Sequence, residues 1–214
     1  MAGRGRGAAL LFYAHGGGFR HGALDSWDAP LRQVARDGRV AVLSIGYALS
    51  PEHPFPTAFD EVVAIVGRVI GDGAVAGRSV AGFAVGGDSA GANLALGAAI
   101  ALRDAGVLAL GHLMLLYGVY SKDLSSPSWR RLSGLNGHGL STTSMATYWS
   151  TYVPNGESDW RVQPLHAELA GGKAALTVLP GVPHGVVRFN EIAPVVRAML
   201  KVEAEALSAA FRAG

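Results

Sequence analysis

Five short runs of almost unbroken hydrophobic residues recur along the chain: AALLFYA (8–14), VAVLSIGY (40–47), SVAGFAVGG (79–87), LGHLMLLYG (110–118) and AALTVLP (174–180). Each is short for a core helix, and too continuous for a strand with one wet face. Strands buried on both faces of a parallel sheet read this way. Segments with helical periodicity alternate with them, at 28–37, 57–69, 91–105 and 190–211. Thr57 opens "TAFDE" and is expected to cap its helix, with acid in the first turn; Asn190 is expected to do the same for the last helix. Strands alternating with helices imply an α/β fold with a mainly parallel sheet of about five strands.

The stretch from 121 to 173 breaks this alternation, being rich in Ser, Gly and Trp. A long excursion at a strand end is where α/β proteins build a substrate lid, so a lid-like insertion is placed at about 121–172. Within it, "STTSMATYWSTYV" (141–153) carries Met145, Trp149 and Tyr152 at helical spacing, read as a core-facing stripe.

Composition removes several function classes. The 214 residues suffice for one sizeable core, and no linker divides them, so a single domain over 1–214 is expected. Half the residues are hydrophobic and 16% are charged, which excludes a disordered or coiled-coil chain. The net charge of +2 is scattered apart from "GRGRG" near the N-terminus, read as a frayed start, so no nucleic-acid partner is expected. The chain has no cysteine, which excludes disulfides, thiolate metal sites and a cysteine nucleophile. No metal and no cofactor are expected. The run after Arg4 and Arg6 flows into "HGGG" without a small-residue cleavage site, so it reads as a strand, not a signal peptide. No run reaches the roughly 18 apolar residues of a membrane span. The expectation is a cytoplasmic protein.

Three motifs carry chemistry. Gly87-Asp88-Ser89-Ala90-Gly91 is a G-x-S-x-G between an expected strand and helix. In that context a sharp turn projects the serine hydroxyl above the sheet, with the following helix dipole beneath the developing charge. "HGGGF", His15 to Phe19, directly follows the first strand. Consecutive glycines let backbone N–H groups approach an oxyanion, and losing one such donor typically costs about 2.7–4 kcal/mol. A phosphate loop would need G-K-[ST] or G-x-G-x-x-G, and neither is present. Pro183-His184-Gly185 follows the last apolar run, where a hydrolase holds its general base.

Together, "HGGGF", "YALSPEHPFPTAFDE", "GGDSAGANLAL" and "LPGVPHG" resemble the hormone-sensitive-lipase-like branch of the α/β-hydrolases, the bacterial carboxylesterases with an HGGG loop. The resemblance runs from about residue 9 to the final helix. It implies a reduced α/β-hydrolase fold with a small lid, and a serine esterase acting on short acyl esters through an acyl-enzyme. It makes Ser89 the nucleophile and His184 the base, with the amides of Gly17, Gly18 and Ala90 forming the oxyanion hole. Glu52 and His53 become scaffold. The alternatives are a non-catalytic ligand-binding or degenerate homologue, and an amidase of the arylformamidase type.

The family pattern is broken in two places. Members open with cap helices and an antiparallel strand pair, whereas this chain starts close to the HGGG strand. Members also carry the triad acid in a "DPLRDE"-like stretch after a strand between the lid and the final strand. "DWRVQPLHAELAGG" (159–172) resembles the part before that strand and "KAALTVLPGVPHG" (173–185) the part after it, so a whole β–α unit is missing between them. The expected strand order is therefore 40–47, 8–14, 79–87, 110–118, 174–180, with the last two adjacent. Another chain's strand inserted there would instead make an obligate homo-oligomer. The remaining acid candidates are Asp123, Glu157, Asp159 and Glu168. Asp123, just after the fourth strand, is the acid that could be recruited to His184, although the favoured reading makes it a solvated lid residue.

Overall fold

Residues 7–132, 140–169 and 174–212 are described by the computed structural model. The "GRGRG" start lies almost wholly outside them, as do parts of the 121–172 segment. Strand β1 (Leu10–Ala14) pairs in parallel with β2 (Ala41–Ile45) on one side and β5 (Phe83–Asp88) on the other. Strand β6 (Leu110–Leu116) pairs in parallel with β5, giving a four-stranded sheet ordered β2-β1-β5-β6. A separate antiparallel hairpin joins β3 (Ala74–Val75) to β4 (Arg78–Ser79), using the first residue of what reads as one long strand.

Side-chain alternation explains why this sheet is covered on both faces. Leu10, Phe12 and Ala14 pack with residues of α2 (Thr57–Asp72), α3 (Ala90–Asp104) and α5 (Thr142–Tyr152). Leu11 and Tyr13 turn the other way, onto α1 (Asp28–Gly38) and α6 (Pro194–Ala210). In α6 the buried residues are Val196, Leu200, Ala204 and Leu207, one stripe at helical spacing. Met145, Trp149 and Tyr152 of α5 are buried as well, and Tyr152 stacks on Phe19 with ring centroids 3.8 Å apart.

Three sequence expectations need correcting. Residues 174–180 form no strand: Leu176 and Val178 are 89% and 74% exposed, and no ladder joins them to β6. Strand propensity reports how a residue fits a pleated neighbour, so an apolar run without its neighbour stays unpaired. The sheet thus has four strands, and among the described residues β6 is its edge. The last helix begins at Pro194, not Asn190, because Val186–Phe189 forms a 3₁₀ turn and proline suits a first helical position. Asn190 instead donates to Gln33 Oε1 at 3.1 Å. Helix α2 begins after Pro56, with Thr57 already inside it and no side-chain cap.

Candidate active site

Ser89 sits between β5 and α3 with φ 53° and ψ −118°, a conformation that a residue with a Cβ adopts only under strain. Backbone bonds hold it there. Its N–H donates to the Leu116 carbonyl at 2.9 Å, and its own carbonyl accepts from Asn93 at 3.3 Å. The turn closes because Gly91 has no side chain: a Cβ there would run into the Ala14 carbonyl of the adjacent strand. The hydroxyl so presented lies 2.8 Å from His184 Nε2. His184 comes from the loop before the 3₁₀ turn, which is anchored by buried Val186 and Val187. Burial holds its imidazole neutral, lowering its pKa to about 4.

The imidazole has no carboxylate partner. All sixteen acidic residues lie among the described residues, and none hydrogen-bonds or ion-pairs with His184. The structure does not join Asp123 to it. Asp123 is exposed, its carboxylate accepts the Ser125 N–H at 2.8 Å, and those bonds to Ser125 hold it below the usual carboxylate range. A short turn that satisfies its own acid gives that acid no reason to reach the histidine. Asp159 pairs with Arg161 at 2.7 Å, and Glu157 accepts from Asn155 at 3.2 Å.

The HGGG loop directs its amides through its carbonyls, since the C=O and N–H of a trans peptide point opposite ways. The Gly16 carbonyl accepts from His15 Nδ1 at 2.7 Å, which turns the Gly17 N–H away from that ring. The Gly17 carbonyl accepts from His21 at 2.9 Å and Arg20 at 3.1 Å, which turns the Gly18 N–H away from that turn. Neither amide, nor that of Ala90, donates to a protein acceptor among the described residues. Gly18 has φ 63°, and a Cβ on it would collide with the Tyr148 ring of α5. His15 itself is buried between Trp27 and Tyr47, with ring centroids 5.0 and 4.5 Å away, and burial lowers its pKa.

Sequence reasoning missed two residues beneath this site. Asp88 is 2% exposed. Its Oδ1 accepts from the Gly16 N–H and Trp27 Nε1, both at 2.8 Å, and from the Tyr13 hydroxyl at 3.1 Å. Its Oδ2 accepts from the Tyr117 hydroxyl at 3.2 Å. Burial outweighs these donors and raises its pKa to about 6. The carboxylate therefore ties the HGGG loop to the strand that leads into Ser89. A charged residue ending an otherwise apolar buried strand was the available signal. Tyr117, the first residue past β6, had no such signal.

A cavity of about 500 Å³ opens beside His184. Its walls come from the end of β6 (Tyr117, Gly118, Val119), from α4 (Pro127–Leu132) through Ser128, Trp129 and Leu132, from Leu140, and from 181–183. Among the described residues no helix is long and apolar enough to cross a membrane.

The chain is 37% identical over 151 residues to an acetyl esterase of Salmonella choleraesuis, a match covering 70% of this chain and 46% of that protein. The acetyl esterase of Salmonella schwarzengrund is likewise 37% identical, over 160 residues and 48% of its length. The chain thus spans about half the length of the curated relatives it matches. An ester hydrolase from the metagenome of Lake Arreo, solved with a bipyridine phosphonate derivative, superimposes with a TM-score of 0.89 at 29% identity, covering 99% of this chain and 77% of that one. A hyperthermophilic esterase from Pyrobaculum calidifontis gives a TM-score of 0.88 at 26% identity, over 96% of this chain and 78% of its own. The alpha/beta hydrolase fold family matches residues 11–203. Sheet, elbow and loop agree with that match, and the chain belongs to the hormone-sensitive-lipase-like α/β-hydrolases.

Proposed function

We propose that the chain is a serine carboxylesterase of short-chain acyl esters, a single domain with residues 121–172 as its lid. The observation that carries this reading is the 2.8 Å contact between Ser89 Oγ and His184 Nε2 at a strained strand-to-helix turn. In this reading Ser89 Oγ attacks the ester carbonyl while its proton passes to Nε2. The amides of Gly17, Gly18 and Ala90 stabilise the oxyanion that forms. The carbon–oxygen bond to the alcohol then breaks, and the alcohol leaves with the Nε2 proton. Water, deprotonated by the same nitrogen, releases the acid from Ser89. Tyr148 of the lid covers Gly18, and Trp129 and Leu132 wall the cavity beside the base.

A base with a pKa near 4 is weak at neutral pH, and without a carboxylate on Nδ1 its cation is unsupported. Turnover is therefore slow and favours activated esters. Labelling with a fluorophosphonate probe tests the reading. Ser89 should take up the probe, and Ser89→Ala should lose both the label and p-nitrophenyl acetate hydrolysis. Hydrolysis that survives in Ser89→Ala would move the chemistry to another residue.

A further inference from the structure

We propose that the cavity beside His184 binds a small carboxylate, which accepts the Nδ1–H of His184 and supplies the orienting acid that no residue of the chain provides. The proposal rests on the roles given above to Ser89 and His184. Nε2 is committed to Ser89, so Nδ1, across the ring, faces away from the serine. The cavity wall includes His184 but not Ser89, so the cavity meets the ring away from its serine contact. About 500 Å³ is many times the roughly 30 Å³ share of one water molecule, enough for a short-chain acid. Leu132 on its rim is 51% exposed, which leaves a way in.

The chemistry of the walls selects the ligand. Among the described residues of the wall, Val119, Trp129, Leu132 and Leu140 are apolar, and Ser128 offers a hydroxyl. A lone carboxylate among them would be costly. Attack by Ser89, however, turns His184 into an imidazolium, and the carboxylate then forms half of a neutral, hydrogen-bonded pair. No covalent bond forms or breaks at the carboxylate. The serine proton goes to Nε2, the Nδ1 proton stays on His184, and the ligand remains ionised throughout. Apolar walls favour a hydrocarbon tail, so butyrate should bind better than acetate, and acetate better than formate. Such acids are also what the hydrolysis releases, so the reaction would be activated by its own product.

The test measures p-nitrophenyl acetate turnover and fluorophosphonate labelling of the intact protein in rising sodium butyrate, acetate or formate, at constant ionic strength. Both rates should rise saturably by about 10- to 100-fold, recovering part of the roughly 10⁴-fold that loss of a triad acid costs. Half-saturation should come earliest for butyrate. Ser89→Ala should show neither effect, which separates the site from direct attack of carboxylate on the ester. Leu132→Trp, narrowing the cavity from its rim, should raise the half-saturating butyrate concentration. By NMR, butyrate should raise the titration midpoint of the imidazole resonance that disappears in His184→Gln. Labelling and turnover that none of the three carboxylates raises would overturn the carboxylate site and leave the esterase reading standing. Absence of labelling and turnover, with or without carboxylate, would overturn that reading and the site with it.

Discussion

Tyr117 packs against His184 in a T-shaped contact, with ring centroids 4.9 Å apart and planes at 62°. Its hydroxyl is anchored elsewhere, donating to Asp88 Oδ2 and accepting the Val187 N–H, each at 3.2 Å. The ring is therefore fixed from below by the strand that ends at Asp88 and from the side by the turn that follows the histidine. With no carboxylate on Nδ1, this ring contact and the Ser89 hydroxyl are what restrain the imidazole.

Two substitutions separate the ring from its hydroxyl. Tyr117→Phe leaves the Val187 N–H without its acceptor and should cost about 1–2 kcal/mol of stability, with kcat changed only a few-fold. Tyr117→Ala removes the wall itself and should lower kcat by a further factor of about ten, or 1.4 kcal/mol in the barrier. Thermal melts and steady-state kinetics on both variants check this. Equal kcat in the two would deny the ring any positioning role.

Much of this arrangement was legible in the sequence, and the exceptions share one cause. Runs 8–14, 40–47, 79–87 and 110–118 all contain strands of the observed sheet, in the expected order, because a strand covered on both faces needs continuous hydrophobicity. G-x-S-x-G located the strained turn, since only small neighbours permit it. Run 174–180 has the same composition and failed, because pairing depends on a neighbour and composition does not report one. Asp88 and Tyr117 failed similarly. Their partners are 72 and 29 residues away in sequence, and only the folded sheet brings them together.

Asp123→Asn should leave kcat within about twofold. Its carboxylate is exposed and bonds within its own turn, and exposed substitutions away from special features usually shift stability by no more than about 0.5 kcal/mol. Steady-state kinetics at neutral pH is sufficient. A loss of orders of magnitude would mean that Asp123 reaches His184 during turnover.

The pH profile should carry the mark of His184. Burial lowers its pKa from the ordinary 6.5 to about 4, so the imidazole stays unprotonated well into the acid range. The acid limb of kcat/KM should fall near pH 4 rather than near 6.5. The same residue contributes stability that is present above pH 6.5 and is lost as pH falls towards 4, because the unfolded chain takes up the proton first. A limb near 6.5 in the absence of added carboxylate would contradict the burial seen here.

Asp88 works in the opposite direction, which allows its contribution to be isolated. Its pKa in the folded chain is raised to about 6 from the ordinary 3.8, burial being the main cause. The folded state therefore holds the proton more tightly, and this residue's contribution is full below pH 3.8 and lost as pH rises to about 6. A rise of that size corresponds to on the order of 3 kcal/mol. Asp88→Asn keeps an acceptor for Gly16, Trp27 and Tyr13 but has no charge to bury, and the Tyr117 hydroxyl can turn to accept its amide. Denaturant unfolding of the two proteins at several pH values should show the difference between Asn and Asp growing in favour of Asn from pH 4 to 6, then levelling. Asp88→Ala should lie about 3–5 kcal/mol below Asp88→Asn at every pH, since neither variant ionises there and in Ala two buried N–H groups and two hydroxyls lose their partner. A constant Asn–Asp difference across pH 4–7 would show that the carboxylate ionises outside this window, and that its four donors outweigh burial after all.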